Sequence, residues 1–268
     1  MSWLKHLFKL REKSDNEVVK PFLDHMEDLR WTLIKMIVVL ITGMTASFFY
    51  VGHLTAVMKA PLERIDPKAA ANLIVTSPTD PFMVSLTLAF FGGIALTLPF
   101  LIYFLAGFII PALTRTEKKY LLPGIAGGFL LFIAGTVLCY YFILPQTLKF
   151  FSDYAHRMGA VTTWTLKDYF SFVSHLTLAF GILCEVPIVM LVLALLGVIQ
   201  YSFLANTRAY AVIIILLIVA FIAPTPDPIT FISLSLPVIL LYEICIWLIW
   251  LLERRRSRKA TDEVLPPD

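Results

Sequence analysis

Two glutamates stand inside long apolar stretches of the sequence, where a carboxyl group is costly. Glu185 lies near the middle of the stretch from Tyr169 to Val198, and Glu243 lies nearer the end of a later one. A charged side chain at the centre of a bilayer costs about 2.5–3.5 kcal/mol on insertion scales. We therefore expect both carboxyls to face a bundle interior or a polar cavity and to contact a partner there. A protonated glutamic acid that hydrogen-bonds a neighbouring helix, with a structural role alone, is the alternative.

A second group of carboxyls lies outside the apolar stretches. Glu27 and Asp28 flank an apolar stripe at helical spacing, which consists of Val18, Val19, Phe22, Leu23, Met26 and Leu29. The stripe predicts an amphipathic helix that leads into the first apolar stretch. Glu117 follows the second stretch, so these carboxylates could form an acidic patch for a cationic guest, because carboxylates bind guanidinium groups bidentately. Ordinary ion pairs with Arg30 or Arg115 are the alternative.

The sequence gives little support for catalysis or metal binding. It contains no P-loop, no HExxH and no G-x-S-x-G motif. Ser174 and His175 are adjacent, so on a helix their side chains point in different directions. Cys139, Cys184 and Cys245 lie in apolar stretches at spacings that do not suit zinc. We predict no enzymatic activity, no metal site and no cofactor.

The elements that must position these residues are membrane-spanning helices. Hydrophobic residues make up 59% of the 268 residues and charged residues 15%, whereas soluble proteins carry about 25% charged residues. A helix crosses the hydrocarbon core with about 20 apolar residues. Six stretches qualify or come close: Thr32–Val51, Phe82–Ile110, Tyr120–Leu144, Tyr169–Val198, Ala209–Ala223 and Ile229–Leu252. We predict an all-α polytopic membrane protein with six transmembrane helices.

Two of these helices should be kinked and one is short. Pro99 and Pro187 each remove a backbone hydrogen bond inside a long stretch. Ala209–Ala223 reaches only about 22 Å at 1.5 Å per residue, so the bilayer must thin around it or polar neighbours must shield its ends. The connection from His53 to Pro81 contains enough apolar residues before Pro61 to predict a helix lying on the membrane surface.

Basic residues set the orientation. They concentrate in three segments, which carry Lys5, Lys9, Arg11, Lys13, Lys20 and Arg30, then Arg115, Lys118 and Lys119, and finally Arg254, Arg255, Arg256, Arg258 and Lys259. The positive-inside rule places these segments, and hence both termini, in the cytoplasm. We expect a cytoplasmic N-terminal segment with an amphipathic helix over residues 1–30, a transmembrane domain over 31–252 and a basic cytoplasmic tail over 253–268.

The sequence resembles the TatC family, the large membrane subunit of the twin-arginine protein translocase. The segments that carry the resemblance, in order, are Pro21–Arg30, Ala60–Leu62, Phe108–Leu113 with Glu117, Ala179–Gly181, Glu185–Pro187, Arg208–Tyr210, Pro224–Asp227 and Leu241–Glu243. The resemblance implies a concave bundle of kinked helices in the bacterial inner membrane. It also implies binding of twin-arginine signal peptides and export of folded proteins driven by the proton-motive force.

The resemblance also assigns residues and partners. The resemblance assigns signal-peptide recognition to Asp28, Phe108 and Glu117. We expect Pro111 to contribute as well, and also Glu27, which stands beside Asp28 where the family usually has glutamate. The resemblance matches Glu185 to the family's intramembrane glutamate and Pro61 to a proline of the first periplasmic loop. We expect Glu185 and Glu243 to make intramembrane contacts to partners, and Pro61 and Asp227 to have structural or functional roles on the periplasmic side. The implied partners are single-span subunits of the TatA/TatB type, and we expect a homo-oligomer within a receptor complex.

Two other functional classes are alternatives. A proton-coupled secondary transporter of a small solute could use Glu185 and Glu243 as proton or substrate sites, but no internal repeat typical of such folds is visible. A membrane-embedded enzyme would need a nucleophile and a base at suitable spacing, and the sequence offers no such pair.

Overall fold

A computed structural model describes residues 22–109, 121–160, 162–222 and 228–264 of the chain. These residues are almost entirely helical. The helices are α1 (Phe22–Phe49), α2 (Val51–Ile65), α3 (Pro67–Ala71), α4 (Asp80–Ile109), α5 (Leu121–Leu138), α6 (Leu144–Arg157), α7 (Leu166–Leu183), α8 (Val186–Leu195), α9 (Tyr201–Asn206), α10 (Arg208–Ile222) and α11 (Pro228–Val264). A π-helical segment, Cys139–Ile143, joins α5 to α6.

Five helical stretches of the described chain are long and apolar enough to cross a membrane. They are Met26–Phe49, Asp80–Phe108, Pro123–Arg157, Leu166–Leu195 and Phe231–Arg254, and a shorter apolar helix covers Arg208–Phe221. The prediction of an all-α membrane protein is confirmed. The count of six crossings stays a prediction, since the shorter helix corresponds to the stretch that the sequence marks as too short for a full bilayer.

The third predicted span extends further than expected. Its helix continues past Leu144 to Arg157, although Pro145 lacks an N–H group and its ring crowds the preceding turn. The π-helical turn accommodates the proline, because the Leu144 N–H bonds the carbonyl of Cys139, five residues back. The helix Pro123–Arg157 is about 52 Å long at 1.5 Å per residue and therefore projects well beyond a hydrocarbon core of about 30 Å.

The fourth predicted span is interrupted close to its proline. Helix α7 ends at Leu183 and α8 begins at Val186, with Pro187 in the first turn of α8. Cys184 and Glu185 form the turn between them, and the Glu185 N–H bonds the carbonyl of Ile182 at 2.9 Å, three residues back. The kink expected near Pro187 therefore takes the form of a two-residue interruption, in which Glu185 lies. Pro99, in contrast, is accommodated inside the continuous helix α4.

Glycines allow two pairs of helices to approach closely. On α4, a Cβ atom at Gly93 would lie 2.7 Å from the Cα of Met44 on α1. On α7, a Cβ atom at Gly181 would lie 2.5 Å from the Thr136 hydroxyl of α5. On α5, a Cβ atom at Gly135 would collide with the sulfur of Cys184, which follows α7. Small residues at such crossings let backbones pack tightly in a membrane, where apolar burial alone drives little association.

The connections at one end of the bundle are held together by the backbone. The Ile74 N–H bonds the Trp164 carbonyl at 3.0 Å, and the Leu166 N–H bonds the Ile74 carbonyl at 2.8 Å. These bonds form a parallel bridge between Ile74 and Thr165. The Thr165 hydroxyl also caps α7 by accepting from the Asp168 N–H at 3.1 Å. The predicted helix before Pro81 is present as α2, and Leu62 on it is 1% exposed in the main core.

The core of the described chain centres on α7. The buried side chains of this core come from α2, α3, α4, α6, α7, α10 and α11 and from the π-helical segment, and the largest include Tyr169, Phe170, Phe180, Leu62, Leu88, Ile143 and Leu176. Helix α11 runs unbroken past residue 252, and α1 runs unbroken past residue 30. The boundaries predicted between the cytoplasmic segments and the transmembrane domain, after residues 30 and 252, therefore stay predictions.

Candidate functional site

The start of α1 and the end of α4 lie at the same end of the bundle. Gly43 packs against Thr97, and Gly92, earlier on α4, packs against Ser47, later on α1, so the two helices are antiparallel. From these contacts, Asp28 lies about 22 Å back along α1, and Phe108 lies about 16 Å forward along α4, at 1.5 Å per residue. Both displacements point in the same direction, so the packing brings the acidic residues and Phe108 to one end.

The side chains at this end suit contact with a guest. Glu27 is exposed, and Asp28 and Phe108 are half-buried. An accessible carboxylate accepts charge-assisted hydrogen bonds from a guanidinium group, and a half-buried phenyl ring offers apolar surface. The predicted amphipathic helix is continuous with the first span from Phe22 onwards. Its first residues, 18–21, and the candidates Pro111 and Glu117 lie outside the described residues.

Glu185 is half-buried, and one oxygen of its carboxyl has no hydrogen-bond partner in the described chain. Its Oε1 atom is buried and has no hydrogen-bond partner in the described chain. Its Oε2 atom lies 2.8 Å from the place a Cβ atom would take at Gly128 of α5, so the glycine makes room for the carboxyl. Buried polar atoms without partners are rare in folded proteins. The Glu185 carboxyl therefore has hydrogen-bonding capacity that the described residues leave unused.

Glu243 has a partner within its own chain. The Arg208 guanidinium lies 3.6 Å from its Oε2 atom and joins the beginning of α10 to α11. The neighbouring Tyr242 hydroxyl donates to the Leu204 carbonyl at 3.2 Å, in the cluster that packs α9 against α11. This pairing favours a structural role for Glu243. It also weakens the case for a transporter that needs both glutamates as substrate sites.

Two tyrosine hydroxyls donate to backbone carbonyls of α2 close to Pro61. A proline at this position of α2 leaves the carbonyl of Val57, four residues back, without its helical donor. The Tyr140 hydroxyl donates to that carbonyl at 2.6 Å, and the Tyr169 hydroxyl donates to the next one, of Met58, at 2.8 Å. Sequence reasoning missed both tyrosines. The available signal was a hydroxyl-bearing ring in each of two otherwise apolar stretches.

The other residues considered from sequence do not form a reactive group in the described chain. His175 Nδ1 lies 2.7 Å from the Ser171 carbonyl, and its ring packs edge-on against Phe91. Ser174 is buried at 1% exposure. The three cysteines are buried and free, and the described residues contain no group of three or more His, Cys, Asp or Glu that could hold a metal. Asp227 lies outside the described residues.

The family model described as Sec-independent protein translocase protein (TatC) matches residues 24–237. The chain belongs to the TatC family. A Sec-independent protein translocase protein TatC of Akkermansia muciniphila is 39% identical over 187 residues, which cover 70% of this chain and 54% of that relative. The TatC of Aquifex aeolicus is 35% identical over 238 residues, covering 88% of this chain and 98% of that relative.

Solved structures agree with this membership. A crystal structure of the twin-arginine translocase receptor TatC in DDM matches with a TM-score of 0.76 and 34% identity, covering 84% of this chain and 99% of the other. TatC-family proteins are membrane components of the Sec-independent translocase, a transport family and not an enzyme family. Both the family resemblance and the membrane fold expected from the sequence are confirmed.

Proposed function

We propose that this chain is the receptor subunit of a twin-arginine translocase and binds signal peptides at the end where α1 begins and α4 ends. The observation that carries the proposal is the tight antiparallel packing of these helices through Gly43 and Gly93. It brings the carboxylates of Glu27 and Asp28 to the same end as Phe108. This end therefore combines charge for two arginines with an apolar ring for the residues beside them.

The acidic and the apolar residues of this site bind different parts of the signal peptide. Asp28 and Glu117 accept hydrogen bonds from the two guanidinium groups, with Glu27 assisting, because bidentate carboxylate–arginine pairs are both strong and directional. Phe108 and the loop around Pro111 hold the apolar residues of the signal peptide. This division accounts for the presence of acidic groups on the side of the protein where basic residues otherwise dominate.

The basic segments set the orientation of the protein in the membrane. Both termini and the signal-peptide site lie in the cytoplasm of a bacterial cell, because the three basic segments lie on that side of the inner membrane. With no nucleotide-binding motif in the sequence, export draws on the proton-motive force. Single-span partners of the TatA/TatB type assemble on several copies of the receptor.

Binding of a synthetic signal peptide tests the recognition site. The protein in lipid nanodiscs should bind a peptide with Arg-Arg at least 10-fold more tightly than the same peptide with Lys-Gln. Glu117→Gln or Asp28→Asn should remove most of this preference, since a charge-assisted hydrogen bond contributes about 1.5–3 kcal/mol. Glu63→Gln is the matched control, because Glu63 is exposed on α2 and pairs with Lys59 at 3.5 Å. Equal binding of both peptides by the unaltered protein would refute the receptor proposal.

Glu185 serves a second role in this proposal, as a polar contact for an inserted partner helix. The support is its buried Oε1 atom, which lacks a partner in the described chain, next to the exposed Ile182 one turn earlier. A hydroxyl or amide on a partner helix would hydrogen-bond the carboxyl when the half-buried side chain turns outward, and such contacts contribute about 0.6–2 kcal/mol in membranes.

Crosslinking tests this contact independently of the peptide site. A photoreactive residue at position 182 should crosslink to a TatA/TatB-type partner, and Glu185→Ala should reduce the yield several-fold while peptide binding stays unchanged. Glu243→Gln is the comparison, because its carboxylate is already paired with Arg208. An unchanged yield in the Glu185 variant would show that the glutamate makes no such contact.

A further inference from the structure

The end of α11 carries an aromatic and basic stripe on its outer face. Trp247 is 65% exposed and Leu251 is 40% exposed. The Trp247 and Trp250 rings pack edge to face with centroids 6.3 Å apart. The guanidinium carbon of Arg254 lies 5.1 Å from the centre of the Trp250 ring. These residues recur at spacings of three and four, so they share one face of the helix.

The opposite face of α11 is used for packing. Cys245, Ile246 and Ile249 are at most 1% exposed, in the cluster against α8, α9 and α10. The Glu253 carboxylate turns to the same inner side, where its Oε1 atom accepts from the Tyr201 N–H at 2.8 Å. One oxygen of the acidic residue nearest to the stripe is therefore bound on the inner side of α11.

The positive charge continues along the helix. The segment from Arg254 to Lys259 holds five basic residues out of six, and the first acidic residue after it is Asp262. Helix α11 persists to Val264, so Arg258 occupies the position one turn beyond Arg254 on the same face. A regular helix thus presents successive cations at turn spacing.

The stripe lies where a phospholipid headgroup would be. The apolar part of α11 ends at Arg254, and its 24 residues span about 36 Å at 1.5 Å per residue. This length exceeds a hydrocarbon core of about 30 Å, so Arg254 reaches the headgroup region. Tryptophans concentrate at this boundary, and basic clusters directly beside a span attract anionic lipids.

We propose that the outer face at the end of α11 binds an anionic phospholipid. Arg254, with the arginines at helix positions 255 and 258, binds the lipid phosphate. The glycerol and the upper part of the acyl chain lie against Trp247 and Trp250. The apolar stripe below the cations selects a lipid over free phosphate, because it offers a surface that only an acyl chain covers. The inference is independent of the signal-peptide site.

Lipid retention measures this binding directly. The full-length protein is reconstituted in vesicles of phosphatidylglycerol and phosphatidylcholine, and native mass spectrometry counts the lipids that remain bound after gentle extraction. Phosphatidylglycerol should be retained in preference to phosphatidylcholine. Changing Arg254, Arg255 and Arg258 to Gln together should weaken its binding about 100-fold, at about five-fold per charge removed. The triple change to Lys should retain most of it.

A matched control removes the same charge elsewhere. Lys149 and Arg157 on α6 and Lys167 at the start of α7 are exposed and lie far from the end of α11, so changing them to Gln should leave phosphatidylglycerol retention within two-fold. Equal loss in this control, or full retention in the triple Gln variant, would overturn the proposal. Displacement of the bound lipid by millimolar inorganic phosphate would also overturn it, since the site would then recognise phosphate alone. If the triple variant does not insert into the membrane, the double variant Arg254→Gln/Trp250→Leu replaces it. Loss of phosphatidylglycerol retention in that variant would support the proposal, and full retention would overturn it.

Discussion

At the scale of single residues, the hydroxyl groups of Tyr140 and Tyr169 matter more than their position in apolar stretches suggests. Each ring is held in a spanning helix, and each hydroxyl donates to a carbonyl of α2, at 2.6 and 2.8 Å. Because Pro61 cannot supply the helical N–H group to Val57, the tyrosines both satisfy the backbone and fasten α2 to the bundle. The importance expected for Pro61 thus has a physical basis in its neighbours.

A double-mutant cycle between Tyr140 and Pro61 tests this explanation. Tyr140→Phe should lower the free energy of unfolding by about 1 kcal/mol, because the Val57 carbonyl loses its donor. In a Pro61→Ala background the restored N–H group takes that role, so the same change should cost much less. Tyr141→Phe is the control, since that exposed ring stacks with Arg64. Thermal unfolding in detergent measures all variants, and equal costs in both backgrounds would contradict the explanation.

At the scale of helices, glycines on α5 and α7 decide how closely the two helices pack. The sulfur of Cys184 and the ring of Phe132 occupy the space next to Gly135 and Gly181. Glu185 follows directly and uses the room beside Gly128. The same close packing therefore sets the position of the intramembrane carboxyl.

Gly135→Ala should separate these helices. The new methyl group would collide with the sulfur of Cys184 and lie 2.9 Å from its Cβ atom, so we expect a loss of about 1–3 kcal/mol in stability. Gly124→Ala on the same helix is the control, because a Cβ atom there meets nothing within 4 Å and alanine favours a helix. Thermal unfolding of both variants in detergent should give a lower midpoint for Gly135→Ala alone. A similar midpoint for both would show that the packing is looser than the structure indicates.

Sequence periodicity predicted the spans well because lipid imposes a simple requirement on apolar length. It failed at Pro145, where a π-helical turn lets the helix continue, and at Pro187 it predicted a kink but not the two-residue interruption that precedes the proline. Both outcomes depend on which neighbouring groups can satisfy the freed backbone atoms, and local sequence does not contain that information. The candidate carboxyls were found from their cost in an apolar setting, whereas the pairing of Glu243 with Arg208 required the packed arrangement of α10 and α11.

At the scale of the whole molecule, the short helix α10 determines the topology. If Arg208–Ile222 crosses the membrane, the chain has six crossings and its termini share one side. The six-span prediction places Asn206 in the cytoplasm and the connection after α10 on the opposite side. An α10 that only dips into one leaflet would leave both connections on the same side.

Cysteine labelling distinguishes the two topologies. Single cysteines at Ser14, Asn206 and Ser257 should react with a membrane-impermeant maleimide only in inverted vesicles, and cysteines at Thr79 and Thr225 only in right-side-out vesicles. The native cysteines are buried and should contribute little background, which the unaltered chain measures. Labelling of positions 206 and 225 from the same side would exclude six crossings.

The bonds that fasten α2 also set an order of events during synthesis. Tyr169 follows its acceptor Met58 by 111 residues. The backbone partners of Ile74, which are Trp164 and Leu166, are likewise made about 90 residues after it. At roughly 5–20 residues per second, the ribosome needs about 6–22 s to make the intervening chain. During that interval the connection between α1 and α4 has left the ribosome without its final anchors, so it stays open to proteases and chaperones until α7 has been made.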